Sequence, residues 1–237
     1  MICVSALHAK PSARLTEDEQ MRIGKIVKSN SHVDYVGRVL DKLEADRPPD
    51  PEHYRFGQFV AIPPIARAGS SGSGQAASNG GGPGGACTTV GIIYNSQLVN
   101  PDYERLGPRL SAPVELTTVF SPDLLNEQGI LIGVLLVGWE DPRGAWQQGI
   151  PRPVLPVNSD IVSMTDEQVR AFHVDAGRRL AIHYYPHVMT HARQFGQQLL
   201  LSVLDQLEAL CSDVSGSEIA LLRRTLNWQI VFQNKSL

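Results

Sequence analysis

From residue 21 the chain runs as short apolar stretches cut by glycine, proline and asparagine, the texture of strands. The pattern predicts strands at Ile23 to Lys28, Tyr35 to Leu40, Gln58 to Ile62, Thr88 to Tyr94, Val114 to Phe120 and Ile130 to Val137. Each is rich in β-branched or aromatic residues and has turn formers at its ends. Six such strands predict a small closed barrel, because closure removes the exposed edges that a short open sheet would carry. Gly24, Gly37, Gly91 and Gly133 fall inside these strands, where a missing Cβ permits bulges and close backbone approach.

Beyond Asn158 the apolar spacing becomes helical. Thr165-Asp-Glu-Gln168 reads as a capping box, with acids that complement the helix dipole, and predicts a helix to about Tyr185. Pro186 suits the first turn of a second helix, on which Val188, Phe195, Leu199, Val203, Leu207 and Leu210 recur up to Cys211. Ser215-x-x-Glu218 predicts a third, with Ile219, Leu222, Leu226 and Ile230 on one face. The expected class is α+β: a small closed six-stranded β-barrel followed by a three-helix C-terminal region.

The domain plan follows these textures. Residues 1–20 read as a flexible tail, 21–140 as the β-domain, 141–158 as a proline-rich connector and 159–237 as a helical domain. Within the β-domain, residues 67–86 hold eight glycines and almost no charge, the composition of a disordered surface insertion. No lysine follows those glycines, so the Walker phosphate loop is excluded.

Composition narrows the classes further. Residues 1–157 carry 14 basic and 16 acidic groups and residues 158–237 carry 7 and 8, so neither half has the concentrated positive field that nonspecific nucleic-acid or membrane binding needs. Cys3, Cys87 and Cys211 lie far apart without a CxxC pair, which points away from a disulfide framework and a thiolate zinc site. The longest apolar run, Ile130 to Val137, is strand-length, and the N-terminus lacks the apolar stretch of a signal peptide. A cytoplasmic protein is expected.

Three candidate chemistries remain. His183, His187 and His191 stand at i, i+4 spacing, which would turn imidazoles to one side of a helix, but Pro186 interrupts the series and no glutamate follows His187 as a base. Arg22, Lys25, Lys28 and Arg38 would form a basic stripe on the first two strands, of the kind barrels use to track single-stranded nucleic acid, with only Tyr35 near to stack a base. No Gly-x-Ser-x-Gly elbow is present, and Ser73 sits inside the glycine-rich segment. No catalytic constellation and no cofactor motif emerges.

Arg22-Ile-Gly-Lys-Ile-Val-Lys28, Tyr35-Val-Gly-Arg-Val39, Phe56-Gly-Gln-Phe-Val60 and Val90-Gly-Ile-Ile93 together resemble a HAS-barrel, the N-terminal β-barrel of HerA-type DNA translocases and of rotary ATP synthase ring subunits. The likeness covers about Met21 to Gly138. It implies a barrel that mediates ring assembly or partner docking beside an ATPase motor, here without the motor. The stretch Asn95 to Pro108 and the helical tail also resemble an uncharacterised bacterial, notably cyanobacterial, protein group. The expected function is a non-enzymatic assembly or adaptor module. Its expected partner is a protein, a HerA-like ATPase or a second copy of the chain. The alternatives are a single-stranded nucleic-acid-associated barrel and a metal-dependent enzyme using the C-terminal histidines.

Overall fold

A computed structural model describes residues 20–42, 44–65, 87–99, 129–175, 177–214 and 216–233. Among these residues there are seven strands: β1 (Arg22–Ser29), β2 (Asp34–Val39), β3 (Phe59–Ile62), β4 (Thr89–Val99), β5 (Gly129–Glu140), β6 (Trp146–Gln148) and β7 (Asp160–Ser163). Four α-helices among the described residues follow: α1 (Asp166–His173), α2 (Tyr185–His191), α3 (Gly196–Leu210) and α4 (Gly216–Gln233). The strand order β2-β1-β7-β3-β4-β5-β6, with a further β2–β5 pairing, closes six strands into an antiparallel barrel and leaves β6 as an outrigger on β5.

The closed six-stranded barrel and the α+β class agree with the sequence pattern, but one stave differs. The expected strand Val114 to Phe120, the glycine-rich segment 67–86 and most of the N-terminal tail lie outside the described residues. The sixth described stave is β7, which lies past the expected boundary at Asn158 and inserts between β1 and β3. Its four residues, Asp-Ile-Val-Ser, are too short to stand out beside the proline-rich connector. Their neighbours hold them: Ile161 lies opposite Gly24, and Val162 opposite Ala61.

Alternation along the strands makes two cores. Ile23, Ile26, Val60, Ile93, Val134 and Ile161 fill the barrel interior. Phe59, Val90, Ile92, Leu135 and Val137 point the other way and share a second core with Val188, Leu199, Val203 and Leu207 of the helices. The helices therefore cover one outer face of the barrel, each fully buried aliphatic side chain contributing roughly 1.5 to 3 kcal/mol. The four glycines that the sequence places inside strands sit where a Cβ would crowd a neighbour: Gly24 the Arg38 carbonyl, Gly37 the Ile161 side chain, Gly91 the Val134 side chain and Gly133 the Tyr94 ring. The connector is fastened to the barrel as well. His32 Nε2 donates to the Pro151 carbonyl at 2.8 Å, and the Leu155 amide donates to the Tyr35 hydroxyl at 3.2 Å.

The helices are shorter and more numerous than their spacing predicts. The Thr165 box is present, with the Gln168 amide donating to Thr165 Oγ1 at 3.3 Å and the Thr165 amide to Gln168 Oε1 at 3.0 Å. Yet α1 stops at His173 rather than near Tyr185. Asp175 Oδ1 accepts the Arg179 amide at 2.9 Å, Arg178 adopts φ 57°, and Val174 bridges to Leu180. A local side-chain turn has outcompeted helix propagation. Arg170 then ties α1 to the end of α3, donating to the Leu210 carbonyl at 2.7 Å and to both Asp213 oxygens at 2.7 and 2.8 Å. The expected Pro186 to Cys211 helix is divided at Arg193. In the last helix Ile219 and Leu226 are buried and Leu222 half-buried, as the spacing requires, while Ser215 lies outside the described residues. Among the described residues no helix is long and apolar enough to cross a membrane.

Candidate functional site

The division at Arg193 opens the most distinctive surface feature. Arg193 has φ 54°, a left-handed conformation that costs a non-glycine residue about 1 to 2 kcal/mol. The reversal lets α3 start hard against α2: a Cβ on Gly196 would lie 3.2 Å from the Val188 carbonyl oxygen and 3.3 Å from Met189 Cα. It also leaves Arg193 exposed on a groove of about 580 Å3, lined by Lys28 to Asn30, Tyr94, Asn95, Gln97 and Arg193 to Phe195. Phe195 is braced by an edge-on contact with Phe56, ring centres 6.1 Å apart.

The floor of the groove is set by a β-bulge. Ile93 stands opposite Val134 and Asn95 opposite Gly133, so Tyr94 is the extra residue on β4. A Cβ on Gly133 would come within 2.9 Å of Tyr94 Cε1, so glycine there lets the ring lie against the strand. Tyr94 Oη donates to Asp34 Oδ1 at 2.8 Å, and Asn30 Nδ2 donates to Asp34 Oδ2 at 3.2 Å. Burial, then the hydrogen bond and charge of Asp34, push the Tyr94 phenol up to about 12, with the Arg193 cation pulling the other way. The buried carboxylate is thus occupied from within. The exposed lining offers the Lys28 and Arg193 cations and the amides of Asn95, Gln97 and Gln194, groups suited to holding an acidic, hydrogen-bonding ligand.

The predicted basic stripe is divided. Arg22 pairs with Asp160 at 2.8 Å, and Arg38 pairs with Asp41 at 3.2 Å and Glu44 at 3.0 Å. Lys25 faces Arg38 across the ladder, but a register shift between Ile26 and Lys28 carries Lys28 into the groove. Lys25, Lys28 and Arg193 make no ion pair among the described residues, and the last two meet at the groove. Sequence reasoning missed Arg193, Tyr94 and Asp34, since an arginine inside a helical apolar repeat carries no sign of a chain reversal.

The histidines separate too. The His187 and His191 rings are 4.6 Å apart on α2, and His187 Nε2 donates to the Leu136 carbonyl at 2.9 Å, which turns that nitrogen to the barrel. His183 is exposed before the helix, where its amide donates to Gln148 Oε1 at 2.7 Å. Among the described residues no group of three His, Cys, Asp or Glu is gathered as metal ligands. The most perturbed histidine is His173, which the sequence did not flag. It is buried against Phe59, Phe172 and Tyr184, and burial pushes it down to about 4. Sealed in the core, it is a packing element.

Comparison with known families adds one relationship. The family model described as a domain of unknown function, DUF8166, matches residues 8–235. A search of curated proteins finds no match to the chain.

Proposed function

We propose that this chain, which belongs to the DUF8166 family, is a non-enzymatic assembly or adaptor module that docks a partner protein on the Arg193 groove. The observation that supports the reading most is the pairing of Lys28 and Arg193. Two exposed cations without an acid partner among the described residues flank one groove, and one of them is held there by a strained backbone. Strain of that kind persists where the surrounding structure over-determines it and clusters at ligand-contacting positions. The groove residues suit recognition more than chemistry: Ser29 has no imidazole among the lining side chains, and Asp34 is already engaged by Tyr94 and Asn30.

The likeness of the β1, β2, β3 and β4 segments to a HAS-barrel supports a ring ATPase as that partner. On this reading the barrel is an attachment piece for a motor carried on another chain. Affinity purification from native lysate tests it: a reproducible partner carrying an ATPase domain is expected. A protein that stays monomeric and recovers no reproducible partner overturns the reading.

A further inference from the structure

We propose that the groove receives an extended acidic segment of the partner, added as a strand to the open edge of β4, a pose that rests on the docking reading above. The edge follows from the register. β3 pairs with β4 only as far as Phe59 opposite Ile92, and the last bonds on that side join Ile93 to Gly57 and Gln58. Beyond them β4 continues to Val99 with β5 as its one paired neighbour among the described residues.

The ladder fixes which β4 amides lack a partner among the described residues. The Leu136 amide donates to the Val33 carbonyl on the β2 side, so by alternation Ile132 and Ile130 also turn their backbone polar groups toward β2. Their partners on β4, Ser96 opposite Ile132 and Leu98 opposite Ile130, must turn theirs away from β5, onto the open edge. An edge with no strand paired to it among the described residues is a template for strand addition.

The two faces of the edge specify side chains. Asn95 and Gln97 face the groove with Lys28 and Arg193, while Leu98, 83% exposed, belongs to an apolar hollow with Val39, Leu40 and Ile130 on the other face. An added strand alternates faces residue by residue. Its groove side would carry carboxylates to meet the two cations, and its other side would carry aliphatic residues against Leu98.

Capped, fluorescein-labelled octapeptides alternating Glu-Val or Lys-Val, titrated into the full chain, test this. The Glu-Val probe should bind with amide-exchange protection at Ser96 and Leu98, and the Lys-Val probe at least tenfold more weakly. Ser96→Pro removes an edge donor without touching the β5 ladder, and should abolish Glu-Val binding while leaving the thermal midpoint near wild type. Absence of Glu-Val binding, equal affinity for both peptides, or binding without edge protection overturns the proposal. So do tighter binding of oligo(dT) on the same residues, which makes the groove a nucleic-acid site, and self-association that protects the edge, which makes a second copy its occupant. If Ser96→Pro still captures the native partner in a Lys28- and Arg193-dependent way, the strand pose fails and the docking reading stands. If the chain recovers no partner at all, the docking reading fails with it.

Discussion

Tyr184 Oη lies 2.6 Å from His173 Nε2, and both side chains are buried. The other ring nitrogen, Nδ1, is 2.7 Å from the Val169 carbonyl, which can only accept. Nδ1 therefore carries the proton, Nε2 is the bare acceptor, and Tyr184 donates to it. The tautomer is fixed by the end of α1, and the pair welds that helix to the segment leading into α2.

A pH dependence follows. His173 is pushed down to about 4 from an ordinary value of 6.5, so between those values the unfolded chain binds more protons than the folded one. Its contribution is present in full above about pH 6.5 and is lost as pH falls toward 4, amounting to about 3 kcal/mol. Urea unfolding at about pH 7 and pH 4.5 should show this loss, and His173→Gln should flatten it. Equal dependence in the variant would assign the loss elsewhere.

Tyr94→Phe should destabilise the barrel by about 1.5 to 3 kcal/mol, since Asp34 would keep only Asn30 as a side-chain donor. Because the phenol is pushed up to about 12, its stabilisation is present below about pH 10 and is lost as pH rises through 12. Burial holds the Tyr184 phenol well above its ordinary value too, so ultraviolet titration of phenolate should show the variant losing the Tyr94 step near 12 while the later Tyr184 step remains.

Gly24→Ala should prevent a native barrel. The added Cβ would strike the Arg38 carbonyl, a backbone atom held in the β1–β2 ladder. Loss of near-ultraviolet circular dichroism is expected, whereas Gly144→Ala, where φ is 80° but the nearest neighbour is the Glu140 side chain at 3.7 Å, should cost only about 1 to 2 kcal/mol.

The barrel was legible because its signals are local: alternating apolar positions mark β1 to β5, and Gly24, Gly37, Gly91 and Gly133 mark close approaches visible as interruptions in those runs. What escaped was set by distant contacts. β7 is a strand because β1 and β3 flank it, not because Asp-Ile-Val-Ser has strong preferences of its own. The turn after His173 and the reversal at Arg193 both interrupt sequences whose spacing is helical, and in each case a short-range hydrogen bond or close helix packing outweighs propensity. The groove combines the β1–β2 turn, the β4 bulge and that reversal, so no linear motif could announce it. Of its charged lining only Lys28 carries a sequence signal, and that signal points to a strand face instead.

Docking at the groove is decided by the affinity of the purified native partner for wild type and for the Lys28→Ala, Arg193→Ala double variant. At least a tenfold loss with the fold unchanged is expected, steepest at low salt because the lost contacts are charged. Unchanged affinity in the double variant would contradict it.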